Sequence, residues 1–173
     1  MTYLSTQIIT ENAEEINTNE LEVAKNNVAK KTQTVDKTEE LANINGIEIA
    51  TLPITGTISS RYGVSSRIRS STHTGLDIAA STGTPIKVIA DGTVTSAQYT
   101  GSYGYLVKVE HGNGVESWYA HTSKMYVKAG DEVKAGDVIA AVGSTGNSTG
   151  PHLHLEIRIN GQHVNPQKYI YNN

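Results

Sequence analysis

Residues 150–159, Gly-Pro-His-Leu-His-Leu-Glu-Ile-Arg-Ile (GPHLHLEIRI), alternate after Pro151: Leu153, Leu155 and Ile157 share one parity, and His152, His154, Glu156 and Arg158 share the other. A period of two belongs to a β-strand with one face in a core and one in polar surroundings. His152 and His154 then project to the same side, about 7 Å apart along the strand. Two imidazoles so placed suit a metal ligand with a neighbouring acid or base, and equally a plain polar face; the pair alone decides neither.

The stretches upstream extend the pattern. VKAGDEVKAGDVIAAVG (127–143) reads as two short strands joined by Gly-Asp turns, and YLVKVEHGNGVESWYAH (105–121) as a strand either side of Gly112-Asn113-Gly114. In TPIKVIADGTVTSAQY (84–99), Ile86, Val88 and Ala90 precede Asp91-Gly92, which reads as the tight turn of a hairpin continuing through Val94 and Ala97. No amphipathic helix of ordinary length occurs after residue 50. The expected fold is all-β, an antiparallel sandwich or open barrel-like sheet.

The first fifty residues differ. They carry nine Asp+Glu against four Lys and only one glycine, Gly46. Between Asn12 and Lys31, Ile16, Leu21, Ala24 and Val28 form a thin apolar stripe, and Asn12 with Glu15 resembles a capping box. This reads as an acidic linker or stalk over 1–50, helical or disordered, with a partner-binding helix as the alternative.

Composition excludes several classes. The chain has 173 residues, a net charge of -3 and no cysteine; its pI is near 6.1 and its mean hydropathy is -0.34. A basic hold on nucleic acid or on an anionic membrane is not expected. Disulfides, thiolate nucleophiles, cysteine-ligated zinc and iron–sulfur clusters are ruled out, so any metal must be held by His, Asp or Glu. The N-terminal MTYLSTQIITENAEE has neither the basic nor the apolar segment of a secretory signal, and no membrane contact is expected of the chain as given.

Two further stretches carry chemistry-bearing residues. STHTGLDIAA (71–80) sets His73 four residues before Asp77, which alone reads as a surface imidazole and a structural carboxylate. Joined to a histidine elsewhere, it completes the two-His, one-carboxylate set of catalytic zinc sites. ESWYAHTSK (116–124) ends an aromatic strand on His121, which suits a core or a groove.

Taken together, His73-x-x-x-Asp77, Tyr119-Ala120-His121 and Gly150-Pro151-His152-Leu153-His154 resemble, in order, the motifs of the M23 (lysostaphin-type, or LytM-domain) zinc metallopeptidases. SSRYG (59–63) and VEHGNG (109–114) resemble the family's flanking text, and the likeness runs over about residues 52 to 168. The resemblance implies a peptidase domain over 51–173, with His73, Asp77 and His154 binding Zn2+ and His121 and His152 flanking a metal-activated water. It implies endopeptidase action on cross-bridge or stem peptides of bacterial peptidoglycan in a groove across a sheet, outside the cytoplasmic membrane. Tyr62, Tyr103, Tyr105 and Trp118 are the expected aromatic contacts of that groove. His111 and His163 match no role in the family and are expected on the surface.

Other readings remain open at this point. Some LytM-type relatives, such as the sporulation engulfment protein Q, are membrane-anchored envelope scaffolds, so an envelope protein partner is the alternative to hydrolysis. The KAGD repeat resembles a biotinyl or lipoyl carrier, but Lys124-Met125 is misplaced for one; a non-haem iron oxygenase gives His121 and His152 no task. Thr122 stands where the family commonly has an apolar residue. Asn43 or Asn45 of LANING (41–46) could cap the metal, as an upstream Asn does in the family's zymogens.

Overall fold

The first strand pair lies within the stretch read as a linker. The computed structural model describes residues 41–65 and 71–171, and begins with β1 (Ala42–Ile44) and β2 (Ile47–Ile49), a hairpin turning at Asn45-Gly46. Ile44 and Ile49 are buried in the same core as the following strands. The packed unit therefore includes these residues, and a boundary at 50 falls after the hairpin rather than before it. The helical reading of 12–31 lies outside the described residues.

The remaining strands are β3 (Thr57–Ser60), β4 (Leu76–Ala79), β5 (Pro85–Lys87), β6 (Gly92–Tyr99), β7 (Tyr105–Gly112), β8 (Val115–Met125), β9 (Glu132–Val133), β10 (Val138–Val142), β11 (His152–Ile159) and β12 (Gln162–Val164). They join in one sheet in the order β3-β4-β11-β8-β7-β6-β9, with β10 bridging β5 and β8 and β12 on β11. The pairings among the described residues are antiparallel. The expected all-β antiparallel fold is met, as an open sheet.

β11 shows why. Leu153, Leu155 and Ile157 are fully buried, and removing each from water contributes about 2 kcal/mol. Their alternates His152, His154, Glu156 and Arg158 stand on the opposite face, as the period of two requires.

The hairpin expected at Asp91-Gly92 does not form. β5 pairs with β10, and β6 pairs with β7 and β9. The intervening backbone is satisfied elsewhere: Val88 N–H donates to Asp137 O, Gly136 N–H to Val88 O, Ile89 N–H to the Tyr119 hydroxyl, and Ala50 N–H to Ile89 O. With those groups committed, Val88, Ile89 and Ala90 are core residues crossing between sheet regions.

β8 contains the feature that places the site. Residues 115–120 pair with β11, whereas Thr122, Lys124 and Met125 pair with β10. His121 lies at the switch with φ 59, in the left-handed region, where His is among the more tolerant side chains. The strand thereby hands its edge from β11 to β10, and the two partners diverge into a fork.

Candidate active site

His121 sits at the fork, His152 begins β11 beside it, and His154 follows on the same face. Asp77 on β4 is the cross-strand partner of His154, and His73 comes from the loop before β4. Gly75 lets that loop lie against β11: a Cβ there would stand 2.8 Å from His154 Cε1 and 2.9 Å from its Nε2.

The hydrogen bonds fix which nitrogens face the centre. His73 Nδ1–H donates to Arg61 O at 2.8 Å, leaving Nε2 3.0 Å from Asp77 Oδ1. His154 Nε2–H donates to Glu156 Oε1 at 3.1 Å, leaving Nδ1 2.7 Å from Asp77 Oδ1 and 3.1 Å from His73 Nε2. Two imidazole nitrogens and a carboxylate oxygen thus converge, and His73, Asp77 and His154 are all buried. Two imidazoles with a carboxylate fit Zn2+ with a fourth position left over.

The electrostatics agree. Burial opposes charge on Asp77, but hydrogen bonds and charges from His154 and His73 hold its carboxyl far below the ordinary range. Burial also opposes charge on His154, and its hydrogen bonds to Asp77 and Glu156 outweigh this and push its pKa up. A field that favours a proton there also favours a metal ion.

The other two histidines point their free nitrogens inward. His121 Nδ1–H donates to Thr145 O at 2.8 Å and His152 Nδ1–H to Gly150 O at 2.8 Å, so each Nε2 is left as an acceptor. The rings lie 4.7 Å apart, and His152 Nε2 is 3.8 Å from Asp77 Oδ1. Burial pushes His121 down to about 4, so the ring is neutral near pH 7.

A cleft of about 820 Å3 opens over these residues, lined also by Tyr103 and the 147–151 loop. That loop is laced to Gly101–Tyr103: Asn147 N–H donates to Ser102 O at 2.8 Å, and Tyr105 N–H to Thr145 Oγ1 at 3.1 Å. Gly104, with φ 65, permits the contact, since a Cβ there would collide with the Thr145 backbone. Thr122 is buried with its hydroxyl donating to Tyr105 O, so it serves packing rather than the cleft.

The aromatic expectations divide. Tyr103 lines the cleft, but Tyr62, Tyr105 and Trp118 stand outside its lining. Tyr62 donates to His163 O, Tyr105 packs edge-on against exposed Tyr99, and Trp118 is held between Lys108 and Arg158. Asn43 and Asn45 also stand outside the cleft lining: Asn43 Oδ1 accepts from Gly46 N–H, and Asn45 is bonded to Asn113.

Two histidines expected on the surface are not free surface groups. His111 is buried, donating from Nδ1 to Asp91 O at 2.7 Å with Nε2 2.7 Å from Ser117 Oγ. His163 is half-buried, its Nε2 3.3 Å from Glu156 Oε2. The alternation placed Glu156 on the polar face without suggesting a role; the structure buries it completely behind His154. Burial disfavours its charge, and hydrogen bonds from His154, Thr74 and Arg158 prevail, bringing it down to about 2.

The model of peptidase family M23 matches residues 71–166. The chain belongs to that family. It is 55% identical over 94 residues to the DD-carboxypeptidase/endopeptidase Mpg of Neisseria meningitidis, covering 54% of this chain and 22% of that protein. To the peptidoglycan DD-endopeptidase ShyC of Vibrio cholerae it is 42% identical over 95 residues, 55% of this chain and 22% of that one. The chain thus spans about a fifth of the length of these curated relatives. The catalytic domain of lysostaphin from Staphylococcus simulans superposes with a TM-score of 0.62 at 33% identity, covering 67% of this chain and 92% of that one.

Proposed function

We propose that this M23 chain is a zinc metalloendopeptidase that hydrolyses peptide bonds of bacterial peptidoglycan and acts outside the cytoplasmic membrane. The observation that carries the reading is the convergence of His73 Nε2, Asp77 Oδ1 and His154 Nδ1 within 4.8 Å of one another at a buried point. The substrate class rests on the likeness to the peptidoglycan endopeptidase among its relatives.

His73, Asp77 and His154 would hold Zn2+. When bound, the ion would supply the chemistry of an acidified water and a polarised scissile carbonyl. His121 and His152 do the rest. With Nδ1 of each ring donating to a backbone carbonyl, the inward Nε2 is the nitrogen placed to take the proton of the attacking water and deliver it to the leaving amine. Once protonated, the ring becomes a donor facing the oxyanion that develops on the carbonyl. Tyr103 forms part of the wall along which an extended peptide lies. A purely scaffolding role gives the inward-facing pair no task, and both histidines are in place.

The test is mass spectrometry of fragments released from purified peptidoglycan by the full chain with zinc, beside a chelated control. Zinc-dependent fragments are expected, and their new termini name the bond. Absence of release from sacculi of several cross-link types, with zinc bound stoichiometrically, would overturn the peptidase reading in favour of an envelope scaffold.

A further inference from the structure

We propose that Glu156 is a positioning residue for the metal site: it accepts the Nε2 proton of His154, fixes that ring in one tautomer and so turns the Nδ1 lone pair toward His73 and Asp77. The proposal rests on His154 being a ligand, as argued above.

Glu156 is fully buried, and donors reach both of its oxygens. Oε1 accepts from Thr74 Oγ1 at 2.6 Å, the Tyr103 hydroxyl at 2.9 Å and His154 Nε2 at 3.1 Å. Oε2 accepts from Arg158 Nε at 2.9 Å and Nη2 at 2.7 Å. Arg158 is itself held over the Trp118 ring, with Cζ 3.4 Å from the ring centre. A carboxylate gripped from both ends cannot rotate away, and it offers only acceptors, so the imidazole facing it must present an N–H. In the neutral ring, a proton held at Nε2 by Glu156 leaves Nδ1 as the nitrogen offered to a metal.

The two imidazoles are held differently. His73 donates to the neutral carbonyl of Arg61, whereas His154 donates to a charge. A carboxylate behind a ligating imidazole raises the basicity of the ligand nitrogen and fixes the ring's orientation, and losing such a partner typically weakens metal binding about 10- to 100-fold.

Glu156→Gln tests this because its amide cannot satisfy both ends. With its oxygen toward the two Arg158 donors, its NH2 faces His154 Nε2, which must then become an acceptor, and the proton moves to Nδ1 where the metal should bind. The expected results are a zinc dissociation constant raised about 10- to 100-fold in chelator competition, and a change of the His154 tautomer from Nε2–H to Nδ1–H in nitrogen-15 spectra of the metal-free protein at alkaline pH, where the ring is neutral. Tyr103→Phe removes one donor from the same oxygen but leaves the His154 contact, and it should leave both readouts unchanged. Unaltered zinc affinity and tautomer in folded Glu156→Gln would overturn the proposal and reduce Glu156 to a structural partner of Arg158. Should that variant not fold, the spectrum of the native metal-free protein at alkaline pH, where the ring is neutral, decides: His154 as Nε2–H supports the assignment, and as Nδ1–H it overturns it. If the native chain takes up no zinc, the function proposed above fails, and the tautomer still judges Glu156.

Discussion

Asn45 and Asn113 exchange amide hydrogen bonds: Asn45 Nδ2 donates to Asn113 O at 2.7 Å, and Asn113 Nδ2 donates to Asn45 O at 3.1 Å. Each occupies an Asn-Gly turn with φ 51, so the β1–β2 and β7–β8 hairpins clasp turn to turn. Glycine tolerates that φ without strain, and Asn45→Gly or Asn113→Gly should cost about 0.5 to 1.5 kcal/mol, the worth of an ordinary hydrogen bond. Urea unfolding should show the double variant losing less than the sum of the two, because the pair acts as one clasp.

Below the clasp, Ile49 is fully buried in the core. Ile49→Ala should therefore destabilise by about 2 to 5 kcal/mol in urea unfolding, a core-sized loss that a detached linker could not produce.

Gly75 should not accept a methyl group. Gly75→Ala drives a Cβ to within 2.8 Å of the His154 ring, and the ring or its strand has to move. We expect a loss of about 1 to 3 kcal/mol in thermal or urea unfolding, together with weaker zinc uptake by chelator competition. A variant as stable and as zinc-avid as the native chain would show that the loop yields instead.

His152→Ala should leave zinc stoichiometry unchanged while lowering kcat by about 10²- to 10⁴-fold, the usual contribution of a positioned acid–base group. Metal analysis and fragment release on the same preparation check both halves.

His111 makes stability depend on pH. Burial is the main cause that holds its folded pKa below the ordinary 6.5, with Asp91, Glu110 and Glu116 opposing. Above pH 6.5 the ring is neutral in both folded and unfolded chains, and its full contribution is present. As pH falls below 6.5 the unfolded chain binds the proton first, so stability declines, until the folded pKa is reached, by at most about 1.4 kcal/mol per pH unit. The ring's Nε2 lies 2.7 Å from Ser117 Oγ, whose hydroxyl donates to the Tyr119 hydroxyl at 2.8 Å. Urea unfolding between pH 7 and 5 should show His111→Gln with a shallower decline than the native chain.

What was legible in the sequence was whatever depends on neighbours along the chain. The alternation of Leu153, Leu155 and Ile157 with His152, His154 and Glu156 is local, and it gave β11 and the direction of both imidazoles. The Asp91-Gly92 turn signal is local too, but β5 is claimed by β10, some fifty residues later, and no local pattern announces that partner. Glu156 and His111 were missed for the same reason. A charged residue at a polar parity reads as solvated until Thr74, Tyr103 and Arg158 are known to surround it, and His111 is buried only once Asp91 O and Ser117 meet its two nitrogens. Tyr62, Tyr105 and Trp118 carry the right rings, but each is occupied by a neighbour that only folding supplies.

The left-handed residue at the β8 fork limits how this centre could be redesigned. His121 is both a proposed proton carrier and the pivot at which one strand changes partners, so replacing it by alanine alters the backbone together with the proposed chemistry. A transplant into another sheet would have to carry the diverging strands with it. Five side chains grafted onto a regular ladder would meet an unbroken row of hydrogen bonds where the peptide should lie.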